Sequence, residues 1–336
     1  MVNALRRQMR WMVFGNEGNP FQQWHPLRPF VHWYNTHRMN QYISPEVDAR
    51  FEIHKNASNS EKSSSKIAHS KSVIDLALTA YLKQSDNAAS SGVIDPVFKE
   101  IAVNQMKLFL FSGHDTTSST ICYVLYCLSI HPKVLSRLRV EHHDILGPNP
   151  SEAAARISKD PYLLNKLPYT TATIKESMRL FPAASTTRRG EASFTITDPR
   201  NGLRYPADPS MLIWLVSHAC QRDPAFWPRT NEFLPERWLA SEGEELYPER
   251  GAWRPFELGP RACIGKELSM LELRIVLCLV AREFEFSAMY EELDAETDRK
   301  GNARGKGRVR TVDGERAYQV GKGEPSGFFP CRVTMV

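Results

Sequence analysis

The residues best suited to chemistry stand in one loop, Trp253-Arg254-Pro255-Phe256-Glu257-Leu258-Gly259-Pro260-Arg261-Ala262-Cys263-Ile264-Gly265. A single cysteine sits in a run punctuated by glycine and proline. Directly after it the pattern turns helical, with Leu268, Leu271, Ile275 and Leu279 spaced for one apolar face. Cys263 therefore precedes a helix N-terminus, whose positive dipole end favours thiolate over thiol. Arg261 adds a fixed cation nearby, and Gly259 and Gly265 permit backbone geometry that a Cβ resists. The chemistry implied is that of an anionic sulfur on a rigid loop, with backbone N–H groups available to it. Without such a loop, a lone cysteine would read as a small buried hydrophobe.

A second candidate lies inside a long helix. The pattern predicts a helix from Pro96 to Ile130, closed by His131-Pro132 and about 50 Å long. Its ends are apolar, but its middle reads Ser112-Gly113-His114-Asp115-Thr116-Thr117-Ser118-Ser119-Thr120. These are weak helix formers whose side chains compete for backbone hydrogen bonds. A local widening or a functional groove is expected there; a plain Ser/Thr-rich kink would look the same. Further on, Glu176-x-x-Arg179 puts opposite charges on one face of a helix predicted from Leu163 to Leu180. A solvated surface pair would look the same. Phe233-Leu234-Pro235-Glu236-Arg237-Trp238 follows downstream.

The elements that must position these residues are mostly helical. Residues 1–50 are aromatic-rich and read as irregular, interrupted by Pro20, Pro26 and Pro29, with a helix plausible from Phe30 to Tyr42. His54 to Ser72 reads as an exposed connection and Val73 to Lys83 as a short amphipathic helix. Gln84 to Gly92 reads as a loop. Lys133 to Leu146 and a segment starting at Ser151 read as further helices. Thr186 to Ile196 and Leu212 to Val216 read as short strands. Glu291 to Arg316 reads as exposed loop or hairpin, and Phe328 to Val336 as a last strand.

Composition excludes several classes. The chain has 336 residues, enough for a large core. Its 43 Lys and Arg against 38 Asp and Glu give +5, too mild to argue for nucleic acid. The cysteines Cys122, Cys127, Cys220, Cys263, Cys278 and Cys331 form no C-x-x-C pair, which argues against a disulfide scaffold or a zinc site. Cys122, Cys127, Cys220 and Cys278 lie in apolar stretches and read as core. No apolar run approaches the roughly 18 residues of a membrane span, and no signal peptide is evident.

Taken together, the motifs resemble cytochromes P450. Phe256-x-x-Gly259-x-Arg261-x-Cys263-x-Gly265 matches that family's haem-ligand signature at every defining position. Gly113-x-Asp115-Thr116-Thr117 resembles its oxygen-activating helix segment. Glu176, Arg179 and Arg237 match its Glu–Arg–Arg triad, and Pro235-Glu236-Arg237-Trp238 its PERF/PERW segment. The resemblance implies a mainly α fold with small β-sheets, in which Cys263 is the axial thiolate of the iron of haem b. It implies that Thr116 and Asp115 handle oxygen and protons, Gly113 leaves room for dioxygen, and Arg261 meets a haem propionate. Arg188 or Arg189 meets another, a choice left open. Ala183 to Thr187 would border the substrate cavity. A buried, fully bonded triad would fix the geometry beside the Cys loop. Two departures stand out: Ser112 replaces the usual Ala or Gly, and Gln221-Arg222-Asp223-Pro224 replaces His-Arg-Asp-Pro. His114 reads as an orienting or solvent-side residue rather than a ligand.

The resemblance runs from about residue 20 to the end. Pro26-Leu27-Arg28-Pro29-Phe30 and His32-Trp33-Tyr34-Asn35 look most like fungal P450s of secondary-metabolite and mycotoxin pathways. The early helix, membrane anchor and Pro-rich hinge of the family are not found, so a single partial P450 domain lacking its N-terminal portion is expected. Its parts would be middle helices and loops (1–95), the long distal helix (96–131), and helices, strands and meander (132–250). The Cys loop with its helix (251–285) and a C-terminal segment (286–336) would follow. The implied activity is monooxygenation of a small hydrophobic organic molecule by O2, with electrons from NADPH through cytochrome P450 reductase. The family implies the cytosolic face of the endoplasmic reticulum membrane; without an anchor, the chain alone reads as cytoplasmic. Two other readings stay open. One is a catalytically inactive, truncated haem-binding or interaction protein. The other is a P450-fold isomerase or dehydratase, ranked lower because the acid–alcohol pair is kept.

Overall fold

The computed structural model describes residues 1–11, 25–58, 72–84, 93–299 and 329–336. It divides into two compact units, Met1–Ser112 and Gly113–Val336.

The first unit holds α1 (Val2–Trp11), α2 (Arg28–Ser58), α3 (Val73–Gln84) and the first half of α4 (Pro96–Ile130). The irregular segment expected over residues 1–50 is instead largely helical in its described parts. Pro26 and Pro29 do not break a helix; they introduce one, since proline is tolerated in a first turn where its missing N–H is not needed. The exposed connection expected from His54 is also corrected. Residues 54–58 continue α2, and His54 is buried, its Nε2 3.0 Å from Asp75 Oδ1. Residues 59–71 and 85–92 of the two predicted loops lie outside the described residues. Ser72 starts α3 through a reciprocal cap: Asp75 N–H donates to Ser72 Oγ at 3.2 Å, and Ser72 N–H to Asp75 Oδ2 at 2.9 Å. Leu5, Met39, Ile43, Val47, Ala102 and Val103 form this unit's core.

The bounds of α4 are those its sequence predicts. Asp95 caps it by accepting from the N–H groups of Val97 and Phe98, and Pro96 occupies its first position. Its second half belongs to the second unit. The Ser/Thr patch does not widen the helix, which stays α throughout. Ser118 and Thr120 hydroxyls instead donate to the carbonyls of Asp115 and Thr116, at 3.0 and 2.8 Å.

The second unit continues with α5 (Pro132–Leu146), α6 (Ala153–Lys159) and α7 (Pro168–Leu180). The predicted helix from Leu163 is split. A 3-10 turn over Pro161–Lys166 ends before Pro168, which lacks the N–H that a continuous helix would need. The start of α7 is capped from another helix, because Glu141 accepts from the N–H groups of Tyr169 and Thr170 at 2.7 and 2.8 Å. The sheets are small. The strands β1 (Thr186–Arg189) and β4 (Leu212–Leu215) pair antiparallel, as do β2 (Thr195–Thr197) and β3 (Arg204–Pro206). After α8 (Ser217–Cys220) and the Cys loop come α9 (Lys266–Val280), β5 (Phe284–Ala288), α10 (Tyr290–Arg299) and β6 (Cys331–Met335), with β5 and β6 paired antiparallel. The segment expected as loop from Glu291 is therefore helical as far as Arg299; its remainder, 300–316, lies outside the described residues. Cys220 is exposed rather than core, while Cys127 and Cys278 are buried.

The main core joins Tyr123, Val124 and Leu128 of α4, Ile174 and Met178 of α7, and Met270, Leu273 and Leu277 of α9. The inward face of α9 is thus not the predicted one. Leu268, Leu271 and Leu279 are exposed at 61%, 36% and 37%. The helix is apolar on two faces, so periodicity alone cannot choose between them.

Candidate functional site: a cysteine loop over a groove

The cysteine loop is fixed by its own backbone and by two aromatic anchors. Cys263 N–H donates to Phe256 O at 2.8 Å and Ala262 N–H to Gly259 O at 3.0 Å. Trp253 and Phe256 pack against the main core, and Trp253 Nε1 donates to Lys175 O at 3.2 Å. Gly259 has φ +74°, a conformation that side chains resist, as its sequence position suggests. Gly265 does not need to be glycine for that reason: its φ is −85°, and it serves as the N-cap of α9. Glu257 itself holds φ +55°, which costs on the order of 1 kcal/mol and persists only where neighbours over-determine it. Here Arg254 Nε does so, at 2.8 Å from Glu257 Oε1.

Cys263 is exposed and opens onto a groove of about 760 Å³, measured out to its open mouth. Thr116 and Thr120 of α4 line it, as do Phe256, Arg261 and Cys263 of the loop and Ser269 of α9. The strip from Ala183 to Thr186 forms another part of the wall, which is where the expected cavity border falls. So Thr116, Phe256, Arg261 and Cys263, 147 residues apart at the extremes, meet at one site. Asp115 is half-buried but is not among the lining residues; burial raises its carboxyl above the ordinary carboxylate range, against the opposing pull of His114. His114, Gly113 and Ser112 are exposed.

The two candidate arginines part company. Alternation along β1 puts Arg188 on the same side as the groove-lining Thr186. Arg188 Nη1 donates to Thr186 Oγ1 at 2.6 Å, and its Nη2 lies 3.7 Å from Glu257 Oε2. Arg189 is exposed, and its Nε donates to Pro209 O at 3.1 Å. Arg188 and Arg254 thus both pair with Glu257, while Arg261 lines the groove.

Beside the loop, Glu176, Arg179 and Arg237 are all fully buried. Arg179 makes a bidentate pair with Glu176 at 2.8 and 3.0 Å, and Arg237 Nε reaches Glu176 Oε1 at 3.1 Å. Leu234 N–H and Trp238 Nε1 also donate to this carboxylate. The spare guanidinium donors meet carbonyls of Gln221, Thr230, Glu232 and Pro228. Two cations on one carboxylate are tolerable in the interior because nearly every donor is satisfied. Sequence reasoning treated Gln221 only as a departure. It is fully buried and ties the end of α7 to the cysteine loop. For Arg254, Glu257 and Ser269 the only available signal was a charge or a hydroxyl in an otherwise apolar stretch.

A mainly helical fold that presents a single cysteine, on a signature loop, to a groove lined across from it by a Thr-rich helix defines a class of protein. The family model for cytochrome P450 matches residues 5–306, and the chain belongs to that family. It is 40% identical to the cytochrome P450 monooxygenase polC of Polytolypa hystricis, over 100% of this chain and 58% of that protein. It is 34% identical to the cytochrome P450 monooxygenase acrF of Aspergillus aculeatus, over 74% of this chain and 52% of that one. The crystal structure of the cytochrome P450 CYP102L1 superposes with a TM-score of 0.61 at 22% identity, covering 86% of this chain and 58% of that one. That likeness speaks to the fold. The chain spans a little over half the length of these relatives. Among the described residues, no helix is long and apolar enough to cross a membrane.

Proposed function

We propose that this chain carries the haem-thiolate site of a monooxygenase that oxidises a small hydrophobic organic molecule with O2. The observation that carries the reading is the meeting of Cys263 and Thr116 at one groove with arginines at its side. The donor set suits haem b. Cys263 offers a single thiolate, the ligand set of an iron whose remaining ligands come from a porphyrin. Arg261 in the groove wall and Arg188 beside it supply cations of the kind the propionates of that group need.

Cys263 Sγ would ligate the iron as thiolate, losing its proton on binding. Arg261 and Arg188 would hold the propionates, Arg188 being better placed than Arg189. Phe256 and Gly265 would shape the sulfur side. When bound, the haem supplies oxygen activation, which a thiolate ligand favours by promoting O–O cleavage. The protein's part is to deliver protons to that chemistry. Thr116 Oγ1, in the groove wall, can accept and donate a proton in one place. Asp115, one residue away, keeps its proton to higher pH than a solvated aspartate and can replace the one Thr116 gives up. Glu176, Arg179 and Arg237 hold the loop in place rather than touch the reacting atoms. The relatives' likeness supports a place in fungal secondary metabolism. Electron supply from NADPH through cytochrome P450 reductase, on the cytosolic face of the endoplasmic reticulum, belongs to the same proposal; membership of the family supports a redox partner of this kind.

The test is the reduced, CO-bound difference spectrum of the chain expressed with haem supply. A red-shifted thiolate–CO Soret band, abolished in Cys263→Ala, is expected. A band only at the shorter wavelength of the inactive form, or none, would overturn the reading.

A further inference from the structure

Within the Thr-rich patch of α4, one hydroxyl behaves unlike its neighbours. Ser118 and Thr120 bond carbonyls of their own helix. Thr117 reaches across to α9, where its Oγ1 lies 3.2 Å from Ser269 Oγ. Thr117 is buried, and Ser269 is half-buried and lines the groove. Each partner sits next to a groove group. Thr117 adjoins Thr116 in the chain. Ser269 N–H donates to Gly265 O at 2.9 Å, closing the first turn of α9 directly after the cysteine loop. The bond therefore links the helix that carries Thr116 to the helix that follows the Cys263 loop.

Apolar side chains of both helices belong to the main core: Tyr123, Val124 and Leu128 on one, Met270, Leu273 and Leu277 on the other. Apolar packing is non-directional, whereas a hydrogen bond fixes both distance and register. A hydroxyl pair beside the groove adds a directional constraint to that packing.

We propose that Thr117 and Ser269 are positioning residues, whose hydroxyl–hydroxyl bond sets the separation between the Thr116 wall and the Cys263 loop that would receive the haem. The proposal rests on the haem-thiolate reading above and adds to it a pair which that reading does not use.

The experiment uses the full chain loaded with haem, as wild type, Ser269→Ala, Thr117→Val, the double variant and the conservative Thr117→Ser. Three quantities are read: melting temperature, the reduced CO spectrum, and the rate of haem loss to excess apomyoglobin. Each single variant removes the bond between the helices, so it should lose haem about fivefold faster and shift part of its CO band to shorter wavelength; Ser269→Ala, which leaves the buried Thr117 hydroxyl without this partner, should also melt lower. Thr117→Ser should match wild type. The double variant leaves no stranded partner, so its melting temperature should recover, while haem loss stays fast. Single variants with wild-type haem loss and an undivided thiolate band would overturn the proposal alone. So would a double variant in which stability and haem retention recover together, since that is the behaviour of a merely structural pair. If wild type itself gives no thiolate–CO band, the haem-thiolate reading falls and takes this proposal with it.

Discussion

Gln221 and Arg254, 33 residues apart, are joined by a 2.8 Å hydrogen bond from the Arg254 N–H to Gln221 Oε1. The same side chain turns its amide N–H groups to the last-turn carbonyls of α7, Met178 O and Arg179 O, both at 3.1 Å. One buried amide thus closes a helix C-terminus and holds the entry to the cysteine loop.

Gln221→Leu keeps the volume and removes all three bonds. It strands one donor and two acceptors away from water, so a loss of about 3 kcal/mol is expected. Urea unfolding measures it. Limited proteolysis should also show faster cleavage within residues 254–262, because the loop loses its upstream anchor; an unchanged cleavage rate would separate the loop from Gln221.

Glu176→Gln should be far more damaging. It leaves the guanidiniums of Arg179 and Arg237 buried without a counter-charge, at a cost of about 3–5 kcal/mol. The variant should accumulate mostly insoluble. Glu232→Gln, which breaks an exposed pair with Arg229, should leave the soluble yield and the urea midpoint as in wild type.

His142 gives the second unit an acid-sensitive point. Thr170 Oγ1 donates to Glu141 at 2.7 Å, so it accepts from His142 Nε2 at 2.8 Å. Burial first, then the charge of Arg282, pulls the His142 pKa from 6.5 down to about 4. A folded-state pKa below the unfolded one means that the unfolded chain binds the proton more readily. The stability contribution is therefore full above pH 6.5 and is lost as pH falls towards 4, by about 3 kcal/mol. His142→Gln, which keeps a donor to Thr170, should flatten the stability profile between those limits. A profile equally steep in the variant would place the acid sensitivity elsewhere.

For the proposed chemistry, Asp115→Asn and Thr116→Val test proton delivery. Each should cut product formation about 100-fold or more while electron consumption continues and appears as hydrogen peroxide. In wild type, the peroxide fraction should rise with pH as the Asp115 carboxyl, raised by burial, finally loses its proton. Asp115→Asn should lose that pH dependence. Equal coupling in wild type and Asp115→Asn would remove Asp115 from the relay.

What could be read in the chain was what neighbouring residues decide among themselves. The bounds of α4 follow from Asp95-Pro96 at one end and His131-Pro132 at the other. The cysteine loop announces itself through Gly259, Arg261 and Cys263. Glu176 and Arg179 sit one helical turn apart wherever the helix lies. The tertiary structure alone decided what depends on residues brought together from afar. It buried Met270, Leu273 and Leu277 rather than Leu268, Leu271 and Leu279, because two faces of α9 are apolar and only the opposing core selects one. It put Arg188 beside Glu257 and Arg189 beside Pro209 because strand pairing fixes which side each takes. It made Gln221 a clamp and joined Thr117 to Ser269 across 152 residues. Periodicity and capping are short-range properties of the chain. A hydrogen bond between distant side chains has no signature in either segment until the fold brings both to the same place.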